Sequence, residues 1–193
     1  MSLDKLKEFN YILASKSPRR QQLLKEIGLD FVVKIKEVDE NFPSHLQRHE
    51  IPIYLSKLKA DAFDEELYDR DIVITADTIV WIENQVLNKP QNFDDAVRML
   101  KLLSGKAHEV YTGVCLRSNN KVASFYAVTK VYFKSLTEEE IIYYITNYEP
   151  YDKAGAYGAQ EWIGYIGIEK IEGSYFNVMG LPLKELYEEL LKF

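Results

Sequence analysis

Tyr11-Ile12-Leu13-Ala14-Ser15-Lys16-Ser17-Pro18-Arg19-Arg20-Gln21-Gln22-Leu23-Leu24-Lys25-Glu26-Ile27-Gly28 carries the first decision about the fold. A short apolar run gives way to a serine-rich turn and then to an amphipathic stretch, which predicts strand, turn and helix. Ser17 is placed to cap the helix, Pro18 suits its first position, and Gly28 suits the position just past its end. The N–H groups and partial positive charge of such a helix start attract anions, and Arg19 and Arg20 add fixed charge beside them. The segment points to a phosphate-bearing ligand. The alternative is an ordinary capped helix whose arginines are solvated.

At 193 residues the chain fits one domain over 1–193, with or without two lobes, and is long enough to bury a core. Its 47% hydrophobic and 28% charged residues suit a soluble globular protein. A net charge of −6 argues against nucleic acid as a partner, because duplex affinity comes mainly from clustered Lys and Arg. Any phosphate site must then be locally basic. The single cysteine, Cys115, lies in the alternating run Val114-Cys115-Leu116, which excludes an intrachain disulfide and predicts a buried thiol. Met1 to Asn10 is charged, and no run of about 18 uncharged apolar residues occurs, so no membrane contact is expected and the cytoplasm is the expected location.

Downstream, Phe31 to Val38 alternates as a second strand, ending in Asp39-Glu40-Asn41 and a turn at Pro43. Helical spacing runs from His49 to Tyr68. Ile72-Val73-Ile74-Thr75-Ala76 reads as a buried strand that delivers Asp77-Thr78 at its end. Glu83-Asn84-Gln85 makes a turn into Val86-Leu87, and Asn88-Lys89-Pro90 precedes a helix from about Asp94 to Leu103 that Gly105 stops. His108–Arg117 and Lys121–Lys134 form a hairpin about Ser118-Asn119-Asn120. Thr137 and Glu140 make a capping box for a helix to about Asn147. Six of the nine glycines then fall between Gly155 and Gly180, which calls for sharp turns or close backbone approach. Gly180-Leu181-Pro182 opens a last helix ending near Leu191. The fold class is α/β, with parallel and antiparallel pairs mixed in one sheet.

Asp77 is the leading candidate for chemistry, because open α/β sheets place ligand-binding residues at strand mouths; capping of the next turn is the plain alternative. Glu40 and Asp39 could converge with Asp77 on a hard cation such as Mg²⁺, which takes one or two carboxylates plus substrate phosphate oxygens. Lys59 and Lys89 lie near element ends and join Arg19 as basic candidates, against the solvent-exposed role of most lysines. His45 and His49 have the spacing of metal ligands but lack the glutamate and third ligand of a zinc-protease helix. The sequence has no P-loop, nucleophile-elbow or dinucleotide glycine pattern, and nothing in it indicates covalent catalysis.

Six segments, in order, resemble the Maf family of nucleoside triphosphate pyrophosphatases: Leu13–Arg20, Ala76–Val80, Asn88–Pro90, Leu103–Gly105, Asp152–Gln160 and Gly173–Pro182. The resemblance implies an elongated mixed sheet flanked by helices, in two lobes with a cleft between them, like that of inosine triphosphate pyrophosphatases. It also implies hydrolysis of a nucleoside triphosphate between the α and β phosphates with a divalent cation, Mg²⁺ or Mn²⁺, and a possible homodimer. By the family pattern Asp77 is the proton acceptor for water, and Glu40 binds metal or positions water, so that Glu40 and Asp77 are the metal-side acids. Ser15, Arg19, Lys59 and Lys89 become phosphate contacts.

Arg19, Thr78 and Gln160 match the branch of the family that acts on dTTP and UTP. A branch acting on N7-methyl-GTP is expected to carry a tryptophan in the first motif. The Gln160 amide suits uracil or thymine because it offers both a donor and an acceptor to their carbonyl and N–H edge. The resemblance keeps open a nucleotide-binding regulator, through the family's link to septum formation, and also modified pyrimidine triphosphates as substrates. One departure is local: after Gln160 the family usually continues with glycine, but here Glu161-Trp162 follows. These two side chains either narrow substrate choice or face solvent.

Overall fold

β-Branched and apolar runs build the strands of a mixed sheet in a computed structural model that describes residues 3–193. Met1 and Ser2, the start of the charged N-terminal stretch, lie outside the described residues. The strands are β1 (Asn10–Leu13), β2 (Phe31–Val33), β3 (Asp71–Ile82), β4 (Gln85–Leu87), β5 (Ala107–Arg117), β6 (Val122–Phe133) and β7 (Ile168–Glu172). Their order is β2-β1-β3-β5-β6-β7, with β4 paired to β3. β1 runs parallel to both β2 and β3, while β3–β4 and β6–β7 are antiparallel. The helices are α1 (Pro18–Glu26), α2 (Glu50–Asp61), α3 (Phe93–Leu103), α4 (Glu138–Tyr148), α5 (Trp162–Gly167), α6 (Tyr175–Val178) and α7 (Leu183–Leu190). Helices flanking a central mixed sheet match the expected α/β class.

The local signals resolve as read. Ser17 caps α1 by accepting from the Arg20 N–H, Pro18 is its first residue, and Gly28 follows with φ +76°. Glu83 and Asn84 turn β3 into β4 with φ of 49° and 59°, the left-handed pair that a tight hairpin needs. Ser118 N–H donates to Lys121 O (2.8 Å) and closes the β5–β6 hairpin. Thr137 and Glu140 form the reciprocal capping box of α4. Cys115 is a free, buried thiol.

Three boundaries differ from the sequence reading. β2 stops at Val33 rather than Val38, because its partner β1 ends at Leu13 and leaves no backbone to pair with. Lys34 and Lys36 instead turn to Glu66, at 2.6 and 2.7 Å. The helix expected over 49–68 ends at Asp61; Phe63 and Leu67 turn inward onto Ile12 and Val73. Asp64, Glu65 and Glu66 would oppose the negative end of a longer helix. Asp77 is not at a strand end but in the middle of the twelve-residue β3, where Ile79–Ile82 continue the strand.

The chain divides into two compact units: Met1–Asp77 with Thr112–Ala127 and Gly180–Phe193, and Thr78–Tyr111 with Val128–Met179. In the first, α2 packs hard against the sheet. A Cβ at Gly113 of β5 would lie 2.4 Å from the Pro52 carbonyl carbon, so only glycine fits there without movement. Thr75 Oγ1 donates to Ser56 O (2.6 Å) from within β3, tying strand to helix in the buried layer.

In the second unit Ala96, Met99, Leu100 and Leu103 of α3 meet Ile141, Tyr144 and Ile145 of α4 over Val110, Val131 and Phe133. His108 is buried in this unit. Its Nε2 lies 2.7 Å from the Tyr157 hydroxyl, its ring packs edge-on against Phe133 and Tyr157, and its Nδ1 has no hydrogen-bond partner among the described residues. Burial alone drives its pKa down to about 3, so the folded protein holds the ring neutral. The unfolded chain, titrating near 6.5, binds the proton more readily between those two values. Stability is therefore complete above pH 6.5 and falls as pH drops toward 3. Urea unfolding across that window should show His108→Gln with a shallower pH dependence than wild type, by up to about 1.4 kcal/mol per pH unit. Parallel curves would exclude a neutral buried histidine.

Candidate active site

In the first unit the turn after β1 and the start of α1 bring oxygen and guanidinium groups together. Ser15 is buried, and its Oγ accepts from Ser17 N–H (3.2 Å) and from Arg20 Nη1 (3.4 Å). With both lone pairs engaged, the hydroxyl proton remains to donate. Arg20 reaches further: its Nε donates to Gly180 O (2.8 Å), ahead of α7. Desolvation by burial pulls its pKa below the usual arginine value; the Asp77 carboxylate opposes the shift, Arg19 adds to it, and Glu40 opposes it. Arg20 therefore senses Asp77, Glu40 and Arg19 at once.

Lys59, in the last turn of α2, provides the centre. Its Nζ donates to Asp77 Oδ1 at 2.6 Å and lies 3.2 Å from Glu40 Oε1. The side chains of Lys59 and Asp77 are each 15% exposed, whereas Glu40 is 53% exposed. Asp77 and Thr78 are the half-buried step in β3, flanked by buried residues on either side. A carboxylate is tolerated in mid-strand because an ammonium neutralises it there. Glu40 was expected at a strand end; it stands instead in the irregular segment well beyond β2 and approaches through Lys59.

Thr78, Lys89 and Gln160 belong to the second unit. Lys89 is exposed and follows β4; the adjoining Asn88 carbonyl accepts from Gly155 N–H (3.1 Å), which holds this segment against the glycine-rich turn. Gly155 has φ +70°, and a Cβ there would lie 2.8 Å from Val80. Gln160 is half-buried at the end of the same glycine-rich stretch, and its carbonyl accepts from the Tyr165 hydroxyl (2.5 Å).

Glu161 does not face solvent. Its carboxylate, 20% exposed, receives a short hydrogen bond from Tyr144 OH and lies 3.0 Å from Lys153 Nζ. Burial, and then the Glu161 contact, hold the Tyr144 phenol well above its ordinary pKa, so it stays a donor. Trp162 packs its ring on Tyr143, with centroids 4.8 Å apart.

No group of three or more His, Cys, Asp and Glu side chains with metal-binding spacing exists among the described residues. His45 is exposed, and His49 stacks on Tyr126. Two carboxylates that both reach one ammonium do fit a hard cation that completes its shell with phosphate oxygens and water.

Of the two readings the sequence leaves open for Arg20, charge at the helix start or a solvated arginine, its bonds to Gly180 O and Ser15 Oγ set aside the solvated one. The signal was present: Leu23 and Leu24, three and four residues on, are buried, which puts Arg20 on the inward stripe of α1.

A model of the Maf-like protein family matches residues 10–193, and the chain belongs to that family. It is 52% identical over 190 residues to the dTTP/UTP pyrophosphatase of Flavobacterium johnsoniae, covering 98% of each. It is 51% identical over 191 residues to the dTTP/UTP pyrophosphatase of Bacteroides thetaiotaomicron, covering 98% of this chain and 99% of that one. The solved structure of the Staphylococcus aureus Ham1 protein is similar at 13% identity and a TM-score of 0.48, over 64% of this chain and 71% of that one. No described helix is long and apolar enough to cross a membrane.

Arg20 is a direct test of this geometry. Arg20→Ala should lower unfolding free energy in urea by about 2 kcal/mol, as expected for losing hydrogen bonds from a charged donor. Arg20→Lys should recover less than half, because one ammonium cannot replace a fork that serves a carbonyl and a hydroxyl together. Wild-type stability in Arg20→Lys would return the residue to the surface.

Proposed function

We propose that the protein hydrolyses dTTP and UTP, with modified pyrimidine triphosphates as further members of the same class, to the monophosphate and pyrophosphate. The observation that carries this reading is the Asp77 carboxylate, held 2.6 Å from Lys59 in mid-strand with Glu40 on the same ammonium. The names of relatives at about 50% identity over nearly the full chain support it.

In this mechanism Asp77 accepts the proton of a water whose oxygen attacks the α phosphorus. The new bond forms as the bond from that phosphorus to the bridging oxygen breaks, and the electron pair leaves with pyrophosphate. Ser15, Arg19 and Lys59 hold phosphate oxygens, and the α1 start adds its partial positive charge, so negative charge is offset where it develops. The family pattern assigns Lys89 to phosphate and Thr78 and Gln160 to the base. Asp77 and Glu40 would hold Mg²⁺ or Mn²⁺. Such a cation acidifies water and screens phosphate charge when bound. We place the enzyme in the cytoplasm, where its nucleotide substrates are found.

Product analysis tests the reaction. With Mg²⁺ or Mn²⁺, dTTP should yield pyrophosphate without orthophosphate. Asp77→Asn should lower kcat by about 10²–10⁴-fold, the range for loss of a general base. Orthophosphate as the product, or undiminished turnover by Asp77→Asn, would overturn the mechanism.

A further inference from the structure

Glu161 occupies the N-cap position of α5 but does not cap it with its side chain. A carboxylate there has an ordinary local use, accepting from the first N–H groups of its own helix. Here it is turned away, into contact with Tyr144 of α4, seventeen residues back, and with Lys153. Lys153 Nζ is itself buried, its side chain 8% exposed, and also pairs with Asp152 at 2.6 Å. Tyr144 oxygen, while donating to Glu161, accepts from Gly158 N–H (3.0 Å). Both ends of the Gly158–Glu161 turn are thus tied to one phenol.

The turn is closed by its backbone as well. Glu161 N–H donates to Gly158 O (3.0 Å), and Gly164 N–H donates to Glu161 O (2.9 Å). There is no space for slack: a Cβ at Gly158 would lie 2.7 Å from Glu161 Cδ, and one at Gly164 would lie 2.1 Å from Ala159 O. Between these fixed points sits Gln160, whose carbonyl is engaged by Tyr165. Its side-chain amide makes no hydrogen bond to any other described residue.

We infer that Glu161 is a positioning residue for base selection: its bonds to Tyr144 and Lys153 fix the turn that aims the Gln160 amide. The inference rests on the proposed contact between Gln160 and the base. A pair of hydrogen bonds from one amide to a base edge is sensitive to displacement, and a shift of about 1 Å can cost as much as 10²-fold in rate. Glu161 does not touch the substrate. Loosening it should weaken the favoured base while leaving alone a base that does not make those bonds.

The experiment compares kcat and KM for UTP and CTP, with Mg²⁺, in wild type, Glu161→Gln, Tyr144→Phe and Gln160→Ala, with thermal unfolding of each. Glu161→Gln keeps the size of the side chain but removes its charge, and Tyr144→Phe removes the other end of the bond. Both should raise KM for UTP about tenfold with kcat within about threefold, and leave CTP unchanged, so that the UTP/CTP preference falls about tenfold. Glu161→Gln should add little to Gln160→Ala, since both act on one contact. A Glu161→Gln protein that fails to fold leaves the decision to Tyr144→Phe. An unchanged preference in the folded variants, or equal losses on both nucleotides, overturns the inference. A wild type without preference, or a Gln160→Ala variant that still discriminates, overturns the base contact itself, and the inference with it.

Discussion

The approach of α2 to β3 and β5 is the contact on which the Lys59–Asp77 pair of the first unit depends. Gly113 permits it by having no side chain, and Thr75 fixes its register by donating to Ser56. Lys59 lies three residues beyond Ser56, and Asp77 lies two beyond Thr75. One helical turn and one strand alternation therefore carry the ammonium and the carboxylate to the same place. Hydrophobic burial brings helix and sheet together, but it does not set the phase between them. The glycine and the threonine hydroxyl do.

The same region concentrates positive charge in an acidic chain. Arg20 and Lys59 interact with Asp77 and Glu40, and Arg19 acts on Arg20, so three cations and two carboxylates meet in a protein whose net charge is −6. The excess is small, but two of the cations are shielded from bulk water, where each charge acts over a longer range than at the surface. The carboxylates keep the cations from repelling one another while no ligand is bound. The cations in turn let a carboxylate remain in the middle of a strand.

What the sequence made legible was local. Ser17-Pro18, Thr137 with Glu140, and Glu83-Asn84 each act on backbone groups within a few residues, so their effects could be read without knowing the fold. The sequence puts Asp77 at a strand end, because polarity resembles a boundary unless its neutralising partner is known, and Lys59 is eighteen residues away. The same limit applies to Glu40, whose approach to Lys59 follows from no strand. Arg20 and Glu161 depend on contacts farther still along the chain or against a local preference. Their environment is set by packing, which no short window contains.

Arg20 and its acceptor at Gly180 are separated by 160 residues. At synthesis rates of about 5–20 residues per second, on the order of ten seconds pass between the two. During that interval α1 can form and bury Leu23 and Leu24, but its inward guanidinium has no carbonyl to meet. The earliest helix to leave the ribosome is thus among the last to be completed. A nascent chain completes the turn after β1 only when its final segment arrives, and a chain ending before Gly180 would carry the motif without the carbonyl that holds it.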